Sequence, residues 1–301
     1  MHTRLKLLFV VFAMFATGSI AAQDGNSARD KQELQMIALE ALIHVPEERA
    51  LPAVMKLLET GGSDELMESA MFVLSQMDHP DAAAALVSYA RTGSGEAQEE
   101  AIRMLGINGD AAAMAALSEI YASGDEDVRE AVLEAYLIAD DVDTVFAIAM
   151  AATDKEDYEK AVEMLAVMDA HEQLAQLREA KGSSEALIDA YIISDNHEEL
   201  EKLARDGTDP DVQIEAIEAL GIVDGPNAEA VLLEIYKGSV DNDVREAAIE
   251  GLFIGDHDQA ILDLYRASTS SREKGELLEA LVIMDSDLAM EVIDSALAGD
   301  Q

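Results

Sequence analysis

Cysteine is absent from this 301-residue chain. Its absence removes disulfide staples, a thiol nucleophile, cysteine-ligated zinc and thioether attachment of a pigment, so stability has to come from packing. Basic residues are scarce: 20 Lys and Arg stand against 62 Asp and Glu, for a net charge of −42. Such a field repels nucleic acid and anionic lipid head groups and favours basic protein partners or cations. No nucleic-acid partner is expected. From Lys31 onward there is no Pro/Gly/Ser stretch long enough to separate two domains, and no Gly-x-Ser-x-Gly elbow, P-loop or dinucleotide fingerprint occurs.

Long apolar runs are also missing, apart from one short run at the N-terminus. Arg4 and Lys6 precede the apolar stretch Leu7–Ala16, and Ser19-Ile20-Ala21-Ala22 supplies small residues for cleavage. This pattern predicts a signal peptide over 1–22 rather than a membrane anchor, and no membrane insertion of the mature chain. With neither a twin arginine nor a lipobox cysteine, export is expected to be Sec-type, to the periplasm of a Gram-negative bacterium or outside the cell. Removing Arg4 and Lys6 with the leader leaves 18 basic residues against 62 acidic, a net −44. Residues 23–30 read as a polar leader and 31–301 as one repeat domain.

What is abundant is repetition. Taking a Leu or Tyr as anchor, copies of one phrase stand at Leu42, Leu74, Leu105, Tyr136, Leu165, Tyr191, Leu220, Leu252 and Leu281, spaced by 26 to 32 residues. Position −3 from the anchor is apolar in all nine copies, position −4 is Ala in six, and position +2 is Ile or Val in seven. Together these positions are expected to form one buried helical stripe. An acid nine residues before the anchor, as at Asp127 and Asp243, is expected to cap the first helix. An Asp four residues after it, as at Asp140 and Asp256, is expected to close one helix and open the next. Each unit therefore reads as two short antiparallel helices. A single such hairpin cannot bury its own stripe, so the expectation is an all-α solenoid of about nine two-helix repeats, with Ala at −4 allowing close approach. The short interval between Leu165 and Tyr191 is expected to change the curvature locally.

The stretch from Asp211-Val212 through Ala216-Ile217 to Leu220-Gly221-Ile222-Val223-Asp224 resembles the bacterial HEAT repeat, in particular the phycobilisome-lyase-type class. The resemblance runs over residues 31 to 298 and implies a HEAT-type α-solenoid. The family includes scaffolds, adaptors, inhibitors and a few enzymes, so fold alone does not fix function. The resemblance also implies that second helices line a concave side. Those of three successive repeats, over 82–90, 111–118 and 144–153, are nearly free of charge. If Val87, Tyr89, Met114, Tyr121, Phe146 and Met150 face outward there, they form a weakly charged trough for an apolar or helical segment of a partner. The alternative is that these Ala-rich helices are buried core.

Five His follow the leader, all within six residues after an anchor, and only His171 and His197 lie in adjacent repeats close enough to share an ion. Their His-Glu dipeptides bear comparison with deoxyhypusine hydroxylase, a HEAT enzyme with a di-iron site. They stand past the anchor rather than ahead of it, and no ligand role carries over. Asp pairs such as Asp285-Ser286-Asp287 lack the later Glu and Gly of a calcium loop. Recurrent Met on the stripe reads as core filling. The chain is thus expected to be an exported, non-enzymatic scaffold or adaptor for a protein partner, without a cofactor. A metal-dependent enzyme or lyase-like accessory factor using the His-bearing turns is the alternative.

Overall fold

Each anchor lies in the last turns of a helix, and in four repeats an Asp four residues on stands just past the point where that helix stops. In the computed structural model, which describes residues 26–206, 209–223, 225–284 and 286–298, Asp140, Asp169, Asp195 and Asp256 all adopt left-handed backbone with φ of 53–58°. Gly109 fills the same place with φ of 65°. Asp tolerates this conformation better than most residues because its short polar side chain can bond locally. The amide of the following residue then folds back and donates to the anchor's carbonyl: Asp141 to Tyr136 (3.0 Å), Ala170 to Leu165 (2.9 Å), Asn196 to Tyr191 (2.8 Å) and His257 to Leu252 (2.9 Å). That following residue, not the Asp itself, starts the next helix. Asp141 accepts from the Thr144 amide and Asn196 from that of Glu199. Closing and opening, expected of one Asp, fall to two consecutive residues.

The caps of the first helices are likewise displaced from the expected position. They lie eleven residues before the anchor, where Ser63, Asp125, Asp154, Asp209, Asp241 and Ser270 accept from amides of the first turn. The acid at −9 sits inside that turn, where it complements the helix dipole.

Eighteen helices result among the described residues: α1 (Asn26–Leu42), α2 (Glu47–Thr60), α3 (Asp64–Ser75), α4 (Pro80–Thr92), α5 (Glu96–Asn108), α6 (Ala111–Ser123), α7 (Glu126–Ala139), α8 (Val142–Ala151), α9 (Lys155–Val167), α10 (His171–Lys181), α11 (Glu185–Ile193), α12 (His197–Asp206), α13 (Pro210–Val223), α14 (Ala228–Gly238), α15 (Asn242–Ile254), α16 (Asp258–Ala267), α17 (Ser271–Ile283) and α18 (Asp287–Ala298). Odd-numbered helices are the first, and even-numbered the second, of nine hairpins. The chain is an all-α solenoid.

Two compact units divide at Ala85/Leu86, inside α4. In the smaller, α1 and α2 both rest on α3, around Val54, Met71 and Leu74. In the larger, the first helices stack side by side. Each of α6, α8, α12, α14 and α16 packs more extensively on the first helix of the following repeat than on its own hairpin partner.

The anchors from Leu74 to Leu281 are fully buried, as are five of the six Ala at −4; Ala38, in the first repeat, is exposed. Small residues bring first helices into backbone contact. A β-carbon added at Gly106 would meet the Ala135 carbonyl oxygen at 2.4 Å, and one at Gly221 would meet that of Gly251 at 2.2 Å. Position +1 of one repeat therefore abuts position −1 of the next. The two Tyr anchors reach back one repeat. Tyr136 bonds the Ser118 hydroxyl at 2.8 Å, and Tyr191 donates to the Leu174 carbonyl at 3.5 Å.

The +2 residues do not join this stripe. At 100° per residue, +2 lies 200° around the helix from the anchor, on the opposite face. Val167, Ile193, Ile222, Ile254 and Ile283 are between 40 and 64% exposed.

The close approach of first helices predicts opposite effects for two Gly-to-Ala changes. Gly221→Ala forces α13 and α15 apart and should lower the unfolding free energy by about 1–3 kcal/mol in urea titration. Gly275→Ala in α17, where an added β-carbon meets nothing within 4 Å, should raise it by about 0.5–1 kcal/mol. Equal effects would contradict the stacking geometry.

Candidate functional site

Repeats are tied together by most of the few arginines the chain has. In the larger unit, seven of eight bridge one repeat to the next. They pair Arg91 with Glu119, Arg103 with Glu134 (3.3 Å), Arg129 with Asp157 (2.7 Å), Arg178 with Glu199 (3.0 Å), Arg205 with Glu234 (3.4 Å), Arg245 with Glu273, and Arg266 with Glu291 (2.8 Å). The eighth, Arg272, pairs with Glu276 within its own helix. The sequence Asp-Val-Arg-Glu-Ala occurs twice, at 127–131 and 243–247, and in both its Arg, Arg129 or Arg245, reaches the acid eight residues before the next anchor. Tyr236 completes the second of these bridges. Its hydroxyl donates to Glu273, which also accepts from Ser268, while Arg245 lies 4.5 Å from the ring centroid. Burial and then Glu273 push the Tyr236 hydroxyl up to about 12. The Ser268 and Tyr236 hydroxyls and Arg245 hold the Glu273 carboxyl below its ordinary value.

The surface of the second helices carries the six residues singled out from the sequence. Val87, Tyr89, Met114, Tyr121 and Phe146 are half-buried, and Met150 is exposed. Tyr121 stands beside the Arg129–Asp157 bridge, and burial followed by Asp157 raises its hydroxyl pKa. Around them the exposed positions of α6 and α8 include the small residues Ala111, Ala112, Ala115, Ser118, Ala122 and Ala147, alongside the charged Glu119 and Asp143. His171 is the exposed first residue of α10, and His197 the half-buried first residue of α12, its ring packed toward Gly225. Among the described residues no group of three His, Cys, Asp or Glu is placed to hold a metal ion, and no helix is long and apolar enough to cross a membrane.

The surface of the first helices presents a feature that the sequence reading assigned to the core. From repeat five to repeat nine, each first helix carries an exposed Val or Ile at +2 and an acid one turn earlier at −2. The pairs are Glu163 with Val167, Asp189 with Ile193, Glu218 with Ile222, Glu250 with Ile254, and Glu279 with Ile283. Residues four apart lie on one helix face, so each pair forms a rung, and the rungs run along consecutive repeats. None of these five carboxylates has an ion pair among the described residues. Between α15 and α17 the row deepens into a groove of about 420 Å³. Here position +1 is the bulky Phe253, where Gly106 and Gly221 stand in two other repeats, and Phe253 and Ala280 both line the groove. The groove is lined by the apolar Ile249, Phe253, Ala280 and Ile283 and by Glu246, Glu250, Glu276 and Glu279, with Arg245 and Arg272, both engaged in the ion pairs described above, also on its wall.

The carboxylates of this surface crowd one another. Burial and then Glu185 and Glu159 raise the pKa of Asp189. Burial and then Glu185, Asp189, Asp211 and Asp209 raise that of Glu215, and burial followed by Glu250 and Glu215 raises that of Glu218.

Residues 51–137 and 186–252, together just over half of the chain, match the family described as HEAT repeats. None of the curated proteins compared matches the chain. Among solved structures it is similar to the CpcE–CpcF complex of phycocyanin lyase from Nostoc sp. PCC7120, with 19% identity over 78% of this chain and 89% of that one, and a TM-score of 0.28. It is also similar to human deoxyhypusine hydroxylase in complex with glycerol, with 18% identity, 75% and 99% coverage and a TM-score of 0.32. An engineered protein gives 22% identity, 77% and 95% coverage and a TM-score of 0.26. Likeness this distant assigns no activity to the present chain.

The raised carboxyls fix the sign of a pH effect. A carboxyl whose folded pKa exceeds its unfolded one stabilises the fold as pH falls through the folded value, and the gain is complete below the unfolded value. Glu273 acts oppositely, losing its contribution only as pH falls through its own depressed value. The melting temperature should therefore rise as pH is lowered from 7 toward the ordinary carboxylate values of 3.8–4.5, and Glu218→Gln should flatten the rise. A melting temperature that falls steadily from pH 7 would contradict the crowding.

Proposed function

The chain belongs to the HEAT-repeat family, and from that premise we propose that it is a scaffold that binds another protein through the layer of first helices in its larger unit. The observation that carries this reading is the row of exposed Val and Ile at +2. Burying such a side chain is worth about 1.5–3 kcal/mol, yet at this position the fold buries none of the five. Aliphatic side chains exposed at the same position in five successive repeats favour a surface that a partner completes. The acidic field, net −42, favours a basic protein over nucleic acid as that partner. A binding rather than a catalytic role is proposed. The proposal includes delivery to the periplasm or the exterior by the Sec-type leader over 1–22, which lies outside the described residues and rests on its charge and apolar pattern alone.

The test is affinity capture from the source organism's own periplasmic extract with the mature chain, at low and high salt, compared with an Ile222→Glu/Ile254→Glu variant. A partner that survives high salt with the wild type and is lost with the variant is the expected result. Retention of nothing but basic proteins that wash off with salt, equally from both chains, would count against a scaffold role.

A further inference from the structure

The scaffold reading leaves open what kind of segment the first-helix row receives, and its spacing and charge narrow that choice. Neighbouring packed helices lie about 8–10 Å apart, and Gly221 and Gly251 bring α13 and α15 of this row into close contact. A partner crossing the row must therefore offer an apolar side chain on one face about every 10 Å. An extended strand places same-face residues every two positions, about 6.6 or 13 Å apart, and falls out of step. An α-helix places residues seven apart at about 10.5 Å on nearly the same face, and stays in step over several rungs. The charge is equally selective. Each rung carries an acid one turn from its aliphatic residue, and acids of adjacent rungs and turns repel one another, as Glu218 and Glu250 do. A cation placed between rungs relieves that repulsion, whereas an acidic or neutral segment does not.

We propose that the rungs of repeats five to nine, from Glu163 and Val167 to Glu279 and Ile283, form a docking track for a basic amphipathic helix of a partner protein. The groove between α15 and α17 takes its largest apolar side chain. The helix lies across the first helices, sets an aliphatic residue against each of Val167, Ile193, Ile222, Ile254 and Ile283, and points Lys or Arg at the acids between them. This rests on the scaffold reading and gives it a partner class.

The probe is a fluorescein-labelled helical peptide of about 35 residues, five heptads long, with Leu at every seventh position and Lys on the flanking turns. Two control peptides replace Leu by Gln or Lys by Glu. Binding to the full chain is read by fluorescence anisotropy at about 0.15 M salt, where exposed charges more than about 8 Å apart are screened. The Leu/Lys peptide should bind, the Gln/Lys and Leu/Glu peptides should bind at least about tenfold more weakly, and Ile222→Ser/Ile254→Ser should cost at least about tenfold. Glu218→Gln/Glu250→Gln, nearly isosteric and on the surface, should weaken binding and reduce its salt dependence. Circular dichroism of the variants should match wild type. Equal binding of the Gln/Lys peptide, indifference to the Ile and Glu variants, or no binding overturns the track. A captured partner that ignores those variants leaves a scaffold standing and removes this site from it.

Discussion

Everything in this chain depends on the contact between one repeat and the next. A two-helix hairpin of roughly thirty residues exposes its apolar stripe on two sides and can cover neither alone. Five of the second helices in the larger unit accordingly press harder on the following first helix than on their own partner, and Gly106 and Gly221 let neighbouring backbones touch. Magnitudes rank the contributions. A buried Leu anchor is worth about 1.5–3 kcal/mol, whereas an ion pair as exposed as those of the inter-repeat arginines typically contributes about 0.2–1 kcal/mol. Packing therefore supplies the stability. The arginines, scarce and spent almost entirely on bridges, fix which acid of the next repeat each helix faces.

This division of labour bears on the charge. With acids so far in excess of bases, most carboxylates have no partner to spare, and the surface must tolerate their mutual repulsion. The first helices accept it in an ordered way, with one acid at −2 and one aliphatic residue at +2 in five successive repeats. Because position within the repeat sets direction in space, a sequence phrase repeated for packing also lays down a repeated surface at no extra cost in topology.

Much of this was legible in the sequence. Period, anchor, Ala at −4 from the second repeat on, and the closing role of the turn Asp became what they predicted, because burial and backbone conformation act within a few residues of their cause. The opening role expected of that Asp falls instead to the residue after it. The caps were misplaced by two positions, since Ser or Asp at −11 and an acid at −9 both favour a helix start, and only the amide geometry separates them. Position +2 is apolar in seven copies, which points to the core, whereas its angle of about 200° from the anchor places it on the outer face. The inter-repeat arginines and the α15/α17 groove were not legible, because both depend on which residues of different repeats come together. The half-buried state of Tyr121 and Phe146 beside exposed alanines is likewise a matter of packing angle, which the uniform apolarity of those helices concealed.

The central claim, that stability is shared between repeats rather than held within hairpins, is tested most directly by native-state hydrogen exchange on the full chain carrying Leu220→Ala. Leu220 is fully buried in α13, and truncating it costs about 2–5 kcal/mol locally. The account predicts faster exchange not only in α13 and α14 but also in α12 and α15, which belong to the repeats on either side. Exchange that rises in α13 and α14 alone, with α12 and α15 as protected as in the wild type, would contradict it.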